Sequence, residues 1–190
     1  MEVTHVLRGE DLLSSTPRQI RVYQAMGVKE EEYPLFAHLP FVMGTDNAKL
    51  SKRNGETSIA WYREQGFLPE AICNYLALLG WSPGDDRENI SLRELTELFT
   101  IDRVNSNPAR FDMKKLENIN GDKIRALSAD DFYSWTLPFL ERGNIVSSPI
   151  TKDQEQIVRK ALPIIQERVI KLAEIPAMLA FLFKIGRAHV

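Results

Sequence analysis

One cysteine, Cys73, stands among 190 residues, so no disulfide can close within the chain and no cysteine-based zinc cluster can be built. That suits a reducing, cytoplasmic setting. No apolar run approaches the roughly 20 residues of a membrane-spanning helix, and the first residues carry no signal-peptide pattern. An excess of one charge is also missing: 24 Lys and Arg face 26 Asp and Glu, for a net charge of −2. This weakens the case for a nucleic-acid partner, although a local basic face can still hold a large RNA. There is no internal repeat and no low-complexity tract. The Walker A phosphate loop, G-x-x-x-x-G-K-[ST], is absent too, because Lys49 follows Ala48.

What is present is ordinary globular material, 44% hydrophobic and 26% charged, enough for a real core. "VTHVLRG" reads as a short strand ending at Gly9. In "SSTPRQIRVYQAMG", Thr16 is a good N-cap, Pro17 fits the first helical position, Gln19 completes a capping box, and Gly27 stops the helix. "LFAHLPFVM" is a second strand that Pro40 marks as an edge or an interruption. Strand, helix, strand is α/β grammar. Beyond residue 57 the pattern is helical. "TSIAWYREQG" stops at Gly66, and "LPEAICNYLALLGW" starts with Pro69 and repeats Ile72, Leu76 and Leu79 on one face. "SLRELTELF" opens with a Ser91–Glu94 capping box, "ARFDMKKLENING" ends at Gly121, and Pro163 and Pro176 should kink or divide the stretch from Thr151 to Lys184. Trp61, Trp81 and Trp135 read as core, Cys73 as a buried thiol, and His5 and His38 as strand residues with satisfied hydrogen bonds.

The chemistry concentrates in "GTDNAKLSKRNG", residues 44–55, where Lys49, Lys52 and Arg53 fall within five residues of a glycine-bounded loop. A solvated surface turn is the plain alternative. A mobile cationic loop at a strand end also suits a polyphosphate, and Gly44 and Gly55 would let it close over a ligand and reopen.

"KLSKR" resembles the KMSKS signature of class I aminoacyl-tRNA synthetases, in the form typical of the glutamate branch. "THVLRGEDLLSSTPRQIRVYQAMG", "FAHLPFVMG", the run from Lys49 through "GWSPGDDRE", and "FDMKKLENING" resemble bacterial glutamyl-tRNA synthetases in order and spacing, over about residues 3–184. The resemblance implies an α+β, predominantly α-helical chain. Residues 1–56 would be the C-terminal remnant of a class I Rossmann-type catalytic domain, 57–127 a helical stem-contact region, and 128–184 the start of a helical anticodon-binding bundle. It implies activation of L-glutamate with ATP, accompanied by Mg2+, to glutamyl-adenylate, and then transfer to tRNA(Glu).

Carried onto matching positions, Lys52 is the principal ATP-phosphate contact and Lys49 assists. Leu50 completes the motif, and Ser51 and Arg53 shape the loop. Asn54 stands where relatives often have His. Arg8, in the R-G-E-[DE] element, would pair with a substrate carboxylate, an ion pair with Glu10 or Asp11 being the structural alternative. Gly9, Glu10 and Asp11 would line the adenosine pocket. Arg103, Arg110, Lys114 and Lys115, with Lys123 and Arg125 nearby, form the expected tRNA surface, for which a solvated helix face is the alternative. No zinc site is expected, and a monomer is the expected state.

The HIGH signature and the half of the domain that holds it do not occur in this sequence, which reads as an internal fragment, inactive alone. "IGRAHV", residues 185–190, departs from the family and is what one frame of a common sequencing-library adapter encodes, so a non-native tail is expected. A glutaminyl enzyme would show a β-barrel anticodon domain, and glutamyl-queuosine relatives lack the helical extension. A non-catalytic tRNA-binding or interaction module is the remaining alternative.

Overall fold

The computed structural model describes residues 2–44, 48–50 and 58–184. The expectations for Ser51, Lys52, Arg53, Asn54, Gly55 and the 185–190 tail lie outside the described residues. The architecture is α+β and helix-rich. Strand β1 (His5–Gly9) leads through a 3-10 turn (Glu10–Ser15) into helix α1 (Thr16–Ala25), and the chain returns in β2 (Leu35–Leu39). The two strands pair in parallel, with Arg8 opposite His38. A crossover helix is what parallel neighbours require. Gly27, at φ 73°, turns the chain out of α1. Pro40 interrupts the second strand, as its missing N–H dictates, and β3 (Val42–Met43) follows.

β3 does not join the first sheet. It pairs in parallel with β4 (Ala109–Arg110), and Phe111 N donates to the Met43 carbonyl at 2.9 Å. This ladder ties the N-terminal part to the helices: α2 (Ile59–Gln65), α3 (Pro69–Gly80), α4 (Leu92–Leu98), α5 (Met113–Ala126), α6 (Ala129–Arg142), α7 (Lys152–Gln166) and α8 (Ile175–Lys184). Ser58, Asp112 and Ser128 cap α2, α5 and α6 with their side chains, and Ser91–Glu94 and Thr151–Gln154 form full capping boxes. One apolar core, including Tyr75, Leu116, Ile124, Phe132, Leu140, Val158, Leu172 and Ile175, runs from α2 to α8 and crosses residue 127 without a break. Asn74 stitches a loop to that core, accepting from Ile90 N at 2.8 Å and donating to the Glu88 carbonyl at 3.0 Å. Lys123 Nζ adds a bond to the Ile90 carbonyl at 2.9 Å.

Several expectations are corrected. Thr16 is not an N-cap: the 3-10 turn runs straight into α1, Thr16 N donates to the Leu13 carbonyl, and no side chain caps the helix. In α3 the buried face is Ala71, Asn74 and Tyr75, while Leu76 is half exposed. Apolar residues surround most of that helix, so periodicity alone does not select the face that meets α5. α5 continues through Gly121, because burial of Ile119, Asn120 and Ile124 on both sides outweighs glycine's cost of about 1 kcal/mol. Pro163 lies inside α7 without dividing it, held by buried Val158, Leu162 and Ile165. The break comes after Gln166, and Pro176 sits in the first turn of α8, where its lost N–H costs nothing. Cys73 is exposed and Trp135 is 43% exposed. Both border a surface groove of about 680 Å³ shared with Phe67, Phe139 and Arg142.

Candidate active site

Arg8 is the next-to-last residue of β1, opposite His38 of β2. Its Nη2 donates to Thr16 Oγ1 at 2.7 Å, its Nε donates to His38 Nε2 at 3.3 Å, and Thr16 Oγ1 lies 3.0 Å from the same ring nitrogen. The guanidinium also lies 5.4 Å from the centre of the Phe36 ring. Among the described residues Arg8 makes no ion pair, so the alternative of a bond to Glu10 or Asp11 is not realised. Thr16 and His38 are the neighbours of Arg8 that sequence reasoning missed. The threonine looks like a helix cap from local pattern, and only strand register reveals the histidine.

The R-G-E-D element turns back over itself. A Cβ on Gly9 would lie 2.5 Å from Asp11 Oδ1, so the Asp11 carboxylate occupies the space that only glycine leaves open. Glu10 Oε1 accepts the Phe41 amide at 3.2 Å, fastening this turn to the chain just after Pro40. Lys49 Nζ lies 3.6 Å from the centre of the Phe41 ring. Phe41 therefore joins the two stretches: its backbone holds the Glu10 side and its ring holds the first lysine of "KLSKR". Gly44 N donates to the Ala48 carbonyl at 2.8 Å and Leu50 N to the Val42 carbonyl at 2.9 Å, so the described ends of the loop fold back on β3. β4, paired to β3, is held in turn by Tyr75, whose hydroxyl accepts Asp112 N at 2.6 Å. Burial pushes the Tyr75 phenol above its ordinary value of 10.0, which keeps it a neutral hydroxyl.

Of the six cations expected at or near the tRNA surface, Lys123 is instead buried against the Ile90 carbonyl and Arg125 pairs with Asp122, and the other four differ in their engagement. Arg103 Nη1 donates to the Pro83 carbonyl at 2.6 Å and braces the turn containing Gly84. Lys115 pairs with Glu88 at 2.8 Å. Arg110 and Lys114 are exposed on β4 and the start of α5. No group of three His, Cys, Asp or Glu among the described residues could hold a metal ion.

The model for the catalytic domain of class I tRNA synthetases (E and Q) matches residues 1–118, more than half of the chain. The chain belongs to this family. A glutamate–tRNA ligase of Leifsonia xyli subsp. xyli is 52% identical over 186 residues, covering 96% of this chain and 38% of its own length. One from Clavibacter sepedonicus is 50% identical over 186 residues, covering 96% and 37%. The solved glutamate-tRNA synthetase of Elizabethkingia anophelis superposes with a TM-score of 0.78 at 31% identity, covering 94% of this chain and 38% of that one. The Elizabethkingia meningosepticum enzyme, described as being in complex with its amino acid, gives a TM-score of 0.76, also at 31% identity, covering 95% and 38%. The chain thus spans 37–38% of the length of these curated relatives. In this chain the Arg8 turn and the Lys49 stretch are neighbours joined through Phe41.

Proposed function

We propose that this chain is part of a glutamate–tRNA ligase, in which the whole protein activates L-glutamate with ATP to glutamyl-adenylate and transfers it to tRNA(Glu). The observation that supports this most directly is the fixed guanidinium of Arg8, held on two sides by Thr16 and His38 and linked through Glu10 and Phe41 to the start of the "KLSKR" loop. Arg8 would take a carboxylate of glutamate as a planar bidentate donor. Lys49 and Lys52 would meet the phosphates of ATP, with Ser51 and Arg53 shaping the loop, and Mg2+ would arrive on the nucleotide. Gly9 and Asp11 would border the adenosine.

Residues 57–127 would touch the stem of the tRNA through Arg110 and Lys114, with Arg103 and Lys115 holding the underlying loops. Residues 128–184 would open the anticodon-binding bundle. No helix among the described residues is long and apolar enough to cross a membrane. Glutamate-dependent ATP–pyrophosphate exchange by a full-length protein carrying this segment tests the reading. Exchange that Arg8→Met weakens by raising the glutamate requirement, and that Lys52→Ala slows strongly, is the expected result. Wild-type exchange in both variants would remove the assignment.

A further inference from the structure

We infer that Thr16 and His38 are positioning residues that fix the direction of the Arg8 guanidinium, an inference that rests on Arg8 as the ligand for the glutamate carboxylate. A guanidinium carries five N–H groups in one plane. Here two of them are taken, Nε by His38 Nε2 at 3.3 Å and Nη2 by Thr16 Oγ1 at 2.7 Å. These lie along one edge of the plane. By subtraction, three N–H groups remain, two on Nη1 and one on Nη2; one N–H from each of these nitrogens points the same way, and that pair is the fork that a carboxylate accepts side by side.

The hydrogen-bond pattern is self-consistent in only one sense. Thr16 Oγ1 accepts from Arg8, so its own proton is available for His38 Nε2 at 3.0 Å. His38 Nε2 then shares its single lone pair between the two donors, which puts the ring proton on Nδ1. Arg8, Thr16 and His38 close a three-membered ring of bonds across β1, the first residue of α1, and β2. Each member comes from a different element, so the fold itself sets the angle of the fork. A long arginine side chain left unheld would sample many rotamers, and ordering it on binding would weaken the ligand's affinity. Phe36, beneath the guanidinium at 5.4 Å, limits motion out of the plane but not rotation within it. The in-plane direction is what Thr16 and His38 supply.

The test uses a full-length protein carrying this segment and four variants. Thr16→Val keeps the shape and removes the hydroxyl, whereas Thr16→Ser keeps the hydroxyl. His38→Phe removes the acceptor, whereas His38→Gln returns an amide oxygen within reach of Arg8 Nε. Thr16→Val and His38→Phe should raise KM for glutamate about tenfold while leaving KM for ATP within about twofold. Thr16→Ser and His38→Gln should recover most of the loss. If Thr16→Val does not fold, His38→Phe carries the same criteria alone.

Unchanged glutamate KM in the folded variants, or an equal rise in KM for ATP, overturns the positioning role. Arg8→Met separates the two levels. A raised glutamate KM there, with Thr16→Val and His38→Phe silent, sinks only the inference about positioning. An unchanged glutamate KM in Arg8→Met sinks the reading of Arg8 itself.

Discussion

Asn120, in the middle of α5, accepts the amide of Leu68 at 2.8 Å and donates to the Ile170 carbonyl at 2.6 Å, with its side chain fully buried. One amide therefore holds the α2–α3 turn and the segment between α7 and the 3-10 turn Leu172–Glu174 against the same helix. Neither backbone group has a helical partner, because both lie between elements. Asn120→Ala leaves the buried Leu68 N–H unsatisfied, at about 1–3 kcal/mol, and strips the part-buried Ile170 carbonyl of its partner. Urea unfolding should show a loss of about 3 kcal/mol for this variant. A loss no larger than that of an exposed Asn89→Ala control would mean that water satisfies both groups.

Two glycines with the same backbone sign separate conformational strain from crowding. Gly27 and Gly66 have φ of 73° and 81°, but nothing lies within 4 Å of a Cβ built on Gly27, whereas one on Gly66 meets Leu172 N at 2.6 Å. Gly27→Ala carries only the left-handed penalty, roughly 1–2 kcal/mol. Gly66→Ala adds a clash with backbone that cannot swing aside. Thermal melts should show a modest drop for Gly27→Ala and a much larger one, or failure to accumulate folded protein, for Gly66→Ala. Equal drops would show that the Leu172 segment yields.

The sequence made the boundaries legible where a residue's own chemistry decides them. Pro40 splits a strand because it lacks an N–H, Gly27 and Gly66 end helices because they accept positive φ, and Ser91 with Glu94 satisfies a helix start. It failed where distant partners decide. Thr16 has all the local features of a cap, yet its hydroxyl is drawn to Arg8 and His38, residues 8 and 22 positions away. Gly121 and Pro163 look like stops, but the core buries their helices on both sides. Leu76 and Ala71 are both apolar, and only the position of α5 says which of them is inside. In the candidate site, the motifs pointed to Arg8 and Lys49, while nothing local to Thr16, His38 and Phe41 reveals the contacts by which they meet those residues.

Stability toward acid should depend on Glu94. Its carboxylate accepts the Ser91 amide at 2.9 Å and the Ser91 hydroxyl at 2.7 Å, and these bonds, the amide first, hold its carboxyl below the ordinary 4.5. A depressed folded value means the contribution is present above the unfolded value and is lost as pH falls through the folded one. Stability should therefore begin to fall as pH drops below 4.5, the ordinary glutamate value. Glu94→Gln keeps the capping geometry without the charge, and should flatten that part of the profile. Asp85 is lowered in the same direction, chiefly by the Arg87 amide, so a residual slope should remain. Urea midpoints at about pH 7 and about pH 3.5, wild type against Glu94→Gln, check this. Parallel profiles would remove Glu94 from the acid response.

The two lysines of "KLSKR" should differ in catalysis, because Lys49 rests against Phe41 and the motif assigns Lys52 to the nucleotide. Lys49 Nζ sits on the Phe41 ring at 3.6 Å, at the point where the loop leaves β3, and its backbone bridges Met43. A lysine held there supports the base of the loop. Lys52 is three residues further along, in the stretch that the motif assigns to the nucleotide. An interaction that strengthens only as charge builds on the departing pyrophosphate lowers the barrier without tightening the ground state. In a full-length protein carrying this segment, Lys52→Ala should slow single-turnover adenylate formation by about 10²–10³-fold at saturating ATP, with little change in glutamate binding. Lys52→Arg should recover only part, since a wide planar fork cannot replace a compact ammonium at one phosphate oxygen. Lys49→Ala should be milder, and Phe41→Leu should reproduce it, because both remove the same contact at the base of the loop. Equal effects of Lys49→Ala and Lys52→Ala would mean that Lys49 leaves Phe41 for the phosphates during the reaction. Full-rate adenylate formation by Lys52→Ala would reduce "KLSKR" to a solvated turn.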